Sequence, residues 1–174
     1  MYARVVDLSI VVLAIAGAWF FWSEYRYLSG LSWWYDSVQN LHERTAARPP
    51  DYHLGSLPWN VARSRAFEAK PDGIAIVTSD EPFAYQAYAT IETGGASAVD
   101  FDFEVEVESG GVTVGLLQGG KWIAVNSSDK PGSFKGANSA RLAYRRSTTV
   151  MIANDNPSGA SRLTVKSLRL FLRK

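Results

Sequence analysis

Ten residues in the middle of the chain, Val99 to Glu108, read VDFDFEVEVE and set Asp100, Asp102, Glu104, Glu106 and Glu108 at every second position. Five carboxylates so spaced suggest calcium, which takes about six to eight hard oxygens. Side chains on one face of a strand, however, stand about 7 Å apart, so one strand spreads its oxygens rather than gathering them. The alternation fits better a strand face whose acids pair with bases on neighbouring strands, Arg141, Arg145, Arg162 or Lys166. A second oxygen-rich stretch, NDNPSG at 154–159, has the residues that a turn requires. No metal site is expected from either.

A sugar ring offers an apolar C–H face and a rim of hydroxyls, so its site needs an exposed aromatic flanked by polar groups. Trp59, Tyr88, Trp122 and Tyr144 are the aromatics to weigh, with Tyr88 and Trp122 the candidate ligand-binding residues. Core packing accounts for each of the four equally well. Catalysis has less to draw on. Cysteine is absent, and the two histidines, His42 and His53, precede the region richest in strands. No nucleophile elbow or glycine-rich phosphate loop is present, and the many carboxylates single out no pair. No catalytic residue and no cofactor are assigned. A net charge of +1 gives no field for nucleic acid.

The elements that must position these residues are strands. Val99, Phe101, Phe103, Val105 and Val107 alternate with the acids, which predicts a strand buried on one side. Ser109-Gly110-Gly111 and Gly119-Gly120 mark turns, so 99–108, VTVGLLQ (112–118) and KWIAVNS (121–127) are expected to form an antiparallel meander. Further strands are predicted at 73–79, 83–92, 140–146, 148–154 and 162–174, with a slip of period near Ser167 of the kind a β-bulge causes. Residues 51–174 are thus expected to be an all-β sandwich, jelly-roll-like, of about eight antiparallel strands. Its charge is divided. Residues 66–110 hold ten acids and one base, and residues 130–174 ten bases and one acid, a pattern suited to pairing across a sheet.

The first fifty residues read differently. Val5 to Trp22 is VVDLSIVVLAIAGAWFFW, with Asp7 its one charge. At about 1.5 Å per residue it spans roughly 27 Å, the thickness of a bilayer core. Ala14-Ile15-Ala16 resembles a signal-peptidase site, but the apolar run continues past it, so the helix is expected to stay as an anchor. From Trp19 to Tyr35 nine of seventeen residues are aromatic. Trp19, Trp22, Tyr25 and Tyr27 suit the headgroup layer of a lipid bilayer. Trp33, Trp34 and Tyr35 open a second helix with Leu31, Trp34, Val38 and Leu41 on one face, which lies at the interface and ends at Pro49-Pro50. The expected organisation is a tail and transmembrane helix (1–28), an aromatic juxtamembrane helix and Pro-Pro linker (29–50) and the sandwich (51–174). The short tail favours a single-pass protein of a bacterial inner membrane with the sandwich on the periplasmic side.

The segments VDFDFEVEVESGGVTVGLLQGGKWIAV and SRLTVKSLRLFLRK resemble in pattern the jelly-roll, carbohydrate-binding-module-like domains of bacterial surface and envelope proteins. The resemblance covers about ninety residues and implies a fold rather than a function. Nine rings exceed what an interfacial belt needs, and packed interfaces also favour aromatics. The leading expectation is therefore a non-catalytic accessory subunit. It would dock on the integral membrane subunits of a larger complex, photosynthetic or respiratory, through Trp19, Trp22, Tyr25, Tyr27, Trp33, Trp34 and Tyr35. The alternative is a membrane-anchored carbohydrate-binding module of the cell envelope, with a glycan as the less favoured partner.

Overall fold

The structure, a computed structural model, describes residues 48–143 and 147–174. Eleven strands run through them. They are β1 (Tyr52–His53), β2 (Trp59–Val61), β3 (Ala66–Lys70), β4 (Gly73–Val77), β5 (Tyr85–Glu92), β6 (Ala98–Ser109), β7 (Val112–Gln118), β8 (Lys121–Ser128), β9 (Gly132–Arg141), β10 (Ser147–Asn154) and β11 (Arg162–Arg173). A single 3₁₀ turn, Leu54–Ser56, lies between β1 and β2. The first sheet has the order β3-β4-β11-β6-β9, with β1 added against β11, and the second is β2-β5-β10-β7-β8. Every pairing between strands is antiparallel. Among the described residues no helix is long and apolar enough to cross a membrane. The anchor, the interfacial helix and their aromatics lie outside the described residues.

The all-β sandwich follows from the period-two pattern, since each apolar face must be covered by another. Val99, Phe101, Phe103, Val105 and Val107 of β6 are all buried and face Val112, Val114 and Leu116 of β7 and Val150 and Ile152 of β10 in one core. Phe101 stacks on Phe103 with ring centroids 5.8 Å apart, and Phe103 meets Phe134 edge-on at 5.1 Å. Burying each such ring contributes about 1.5–3 kcal/mol. The slip of period in β11 is a bulge in its pairing with β6, between Val165 and Ser167.

Three expectations are corrected. The meander does not form, because β6 belongs to the first sheet and β7 to the second. Gly110 has φ 76°, and a Cβ at Gly111 would lie 2.7 Å from the Ser128 carbonyl oxygen. The Gly-Gly pair carries the chain over the edge of the sandwich instead of closing a hairpin, at positions that suit glycine alone. Of the strand expected at 140–146, residues 144–146 lie outside the described residues, and Ala140 and Arg141 are the end of β9, which starts at Gly132. Its sequence GSFKGANSAR has too little apolar alternation to reveal it. Strands β1, β2 and β3 bring the count from eight to eleven; all are short and mostly exposed, so they lack an apolar face to read.

The acidic ladder does pair with bases across the sheet, but with different ones. Arg169 Nε and Nη2 each donate to Asp102 at 2.8 Å, Arg173 lies 3.1 Å from Asp100, and Lys135 lies 3.1 Å from Glu104. The register explains the change, since Arg169 stands opposite Asp102 and Lys135 opposite Glu104. Hydrogen bonding to Asp102 holds the Arg169 guanidinium above its ordinary pKa. Lys166 instead bonds Asp72 at 3.0 Å and holds that exposed carboxyl below the usual aspartate value. Among the described residues no group of three metal-ligating acidic, histidine or cysteine side chains converges.

Candidate functional site

Aromatic side chains reach the outer face of the second sheet by way of two bulges. On β5 the pairing with β10 runs Ile152 to Ala87 and then Ala153 to Tyr85, so Gln86 is the extra residue. By alternation Tyr85 would share the buried face of Ala87 and Ala89. The bulge turns it outward and buries Gln86 instead, fully out of contact with solvent. On β8 the pairing with β7 runs Leu116 to Ala124 and then Leu117 to Trp122, with Ile123 the extra residue. Ile123 packs against the core, and Trp122 is moved to the outer face.

The two redirected rings meet. Tyr85 and Trp122 have centroids 5.9 Å apart and planes at 82°, which makes a corner rather than a flat platform. Gly115 on β7 makes room for it, because a Cβ there would lie 2.8 Å from Trp122 Cζ3 and 2.3 Å from the Ala124 carbonyl oxygen. Gly115→Ala is therefore expected to tilt the indole and strain the β7–β8 ladder. Its thermal midpoint should fall and its tryptophan emission should shift, the cost being about 1–3 kcal/mol as for other overpacked sites. An unchanged midpoint and spectrum would show that Gly115 gives the indole nothing it needs.

A cleft of about 640 Å³ opens beside this corner, lined among others by Phe83, Tyr85, Thr113, Trp122, Val125 and Ser127. A second of about 290 Å³ adjoins it at Tyr85 and is lined by Tyr88, Thr90, Leu117 and Met151. Together they form a groove across the sheet. Its hydroxyls are already oriented: Thr113 and Ser127 are 2.6 Å apart, and Thr90 and Thr149 3.1 Å. Each pair shares one proton and keeps further donor and acceptor capacity for a ligand. Arg63 pairs with Glu81 at the rim.

A buried polar cluster supports one end. Asn154 Nδ2 lies 3.2, 3.2 and 2.9 Å from the carbonyl oxygens of Ser79, Glu81 and Gly159, and its Oδ1 accepts from Ser161 Oγ at 2.8 Å. Gln86 accepts from the Ser79 amide at 2.8 Å and donates to the Ala84 carbonyl at 2.8 Å. Asn154, Ser161, Thr78 and Gln86 are all fully buried. The segment 79–84 is thus held on its inner side by side chains whose hydrogen bonds are satisfied.

The residues expected from sequence are distributed unevenly. Trp122 and Tyr88 do lie on one face, but Trp122 packs on Tyr85 rather than on Tyr88. Trp59 packs against the core, its indole N–H donating to the Leu54 carbonyl at 3.1 Å and its ring 6.2 Å from Phe67. Tyr144, His42 and the seven docking aromatics Trp19, Trp22, Tyr25, Tyr27, Trp33, Trp34 and Tyr35 lie outside the described residues. Sequence reasoning missed Tyr85 and Phe83. Bulges are invisible to a period count, although the Pro82-Phe83 pair before a strand was a turn signal.

No protein-family model and no curated protein matches the sequence. Solved structures do resemble it. A structure described as "CBM4 structure and function" superposes with a TM-score of 0.54 at 9% identity, covering 71% of this chain and 96% of its own. The carbohydrate-binding module CBM36, solved with calcium and xylotriose, gives 0.46 at 14% identity, covering 68% and 97%. The module CBM6cm-2 of Cellvibrio mixtus lichenase 5A, solved with cellotriose, gives 0.45 at 10% identity, covering 72% and 99%. The likeness in fold to the first of these corrects the leading expectation of an accessory subunit docked on a larger membrane complex. The described residues are a carbohydrate-binding-module-like jelly-roll β-sandwich.

Proposed function

We propose that the chain is a non-catalytic carbohydrate-binding module whose ligand lies in the groove on the outer face of the second sheet. One observation carries this reading. Among the described residues four large apolar side chains are exposed, and three of them, Phe83, Tyr85 and Val125, line the same cleft as Trp122. Exposed apolar groups gathered in one concave place mark a binding surface. Paired hydroxyls beside aromatic rings suit a ligand with apolar faces and a hydroxyl rim. The groove's arginine, Arg63, is already paired with Glu81, and Asp155 adds a carboxylate. A neutral glycan therefore fits better than a polyuronate.

The apolar run Val5–Trp22 supports a further part of the proposal, that the module is anchored in a membrane and faces the cell envelope. The test is retention of the full chain, in detergent, on gels cast with soluble β-glucan, xylan, galactan or polygalacturonate. Retardation by at least one neutral polysaccharide and not by the polyuronate is expected. Free migration in all four would overturn the reading.

A further inference from the structure

We infer that Phe83 is a ligand-contacting, specificity-determining residue that extends the groove, so that the site takes oligosaccharides longer than the unit seated on Tyr85 and Trp122. This rests on the glycan reading above and deepens it.

The backbone supplies the first argument. The amide of Ala84 approaches the Glu81 carbonyl at 3.4 Å, closing a turn over Glu81-Pro82-Phe83-Ala84. Proline holds its own φ near −65°, and Phe83 has φ 59°, the one non-glycine positive φ among the described residues. Negative φ followed by positive φ is the type II turn, whose third position belongs to glycine. A phenylalanine there bears a steric cost that glycine does not.

Exposure supplies the second argument. Phe83 is 65% exposed, the most of any large apolar residue described, so packing does not explain it. The same ring lines the cleft that Trp122 and Tyr85 line. Rigidity supplies the third. Asn154 holds the Ser79 and Glu81 carbonyls from beneath, and ion pairs Arg63–Glu81 and Arg65–Asp80 tie segment 79–82 to the residues after β2. A ring placed on a braced turn loses little entropy on binding, as a preformed contact should.

The test is titration calorimetry of the full chain with dimers through hexamers of β-linked glucose, xylose and galactose, beside thermal melts. Phe83→Gly is expected to leave Tm unchanged or higher. In the series that the wild type binds, it should weaken the longer oligomers about fivefold and the dimers little. Trp122→Ala should weaken all lengths. If Phe83→Gly binds every length as the wild type does while Trp122→Ala does not, Phe83 is no ligand contact and this inference falls, with the glycan reading intact. A Tm several degrees lower for Phe83→Gly would also overturn it, because the ring would then be packing. Absence of wild-type binding to all three series would overturn both.

Discussion

Replacing Trp122 with alanine is expected to abolish polysaccharide retention while the sandwich stays folded. The indole sits on edge strand β8, outside the core cluster, against Gly115 below and Tyr85 beside it. Its loss removes one wall of the corner, and Tyr85 alone keeps no fixed partner. Aromatic residues of this kind dominate binding free energy in other interfaces, and a loss of at least tenfold, about 1.4 kcal/mol, is the minimum expected. Trp122→Phe should restore part of it, since a ring still reaches the corner. The check is migration in polysaccharide gels with far-UV circular dichroism of the same samples. Retention unchanged in Trp122→Ala would remove the corner from the site.

Asn154→Ala is expected to cost the most stability of any single change near the groove. The Asn154 amide has two hydrogens for three carbonyl oxygens, so one is shared, and its own oxygen accepts from Ser161 Oγ and from the Asn156 amide at 3.2 Å. Alanine leaves the Gly159 carbonyl and the Asn156 amide without the partner they have here and takes one of the partners of the Ser79 and Glu81 carbonyls and of Ser161 Oγ, and each orphaned group costs about 1–3 kcal/mol. A total near 3 kcal/mol lowers Tm by roughly 10 °C for a domain of this size. Asn154→Asp should not rescue it, because the carbonyls need a donor and meet a carboxylate. Glycan affinity should fall as well, through the turn that carries Phe83. Differential scanning calorimetry checks the first part, and a Tm within a degree or two of the wild type would mean that water replaces the amide.

The same residues show what a sequence reveals and what it conceals. Strand β6 was legible because its apolar residues keep a strict period of two, β7 and β10 because each is a short apolar run bounded by turn residues, and the bulge in β11 because the period slips there. The sheet to which each strand belongs was not. Ser109-Gly110-Gly111 reads as a hairpin, yet it crosses the sandwich, and the tight packing that requires glycine at Gly111 comes from residues distant in sequence, Ser128 and Asp155. Tyr85 was hidden for the converse reason: its bulge leaves both neighbours plausible as alternating residues, so the count assigns it to the core. Trp122 was found as an aromatic with polar neighbours, without the geometry that gives it a partner. NDNPSG was read as a turn, and the turn is there, with the Ser158 amide 3.0 Å from Asn156 Oδ1. Its first residue is nevertheless fully buried and organises the segment beside the groove. A polar side chain that serves as a core hub cannot be told from a turn former by type alone.

The most direct test of the central claim is a titration of the uniformly ¹⁵N-labelled chain with a neutral polysaccharide fragment that retards it on gels, following the indole N–H signals. The groove predicts that the Trp122 signal moves in a saturable way, with backbone signals of Tyr85 and Ser127, while that of Trp59 stays in place. Movement confined to Trp59 and its neighbours, with Trp122 unmoved at saturation, would contradict it.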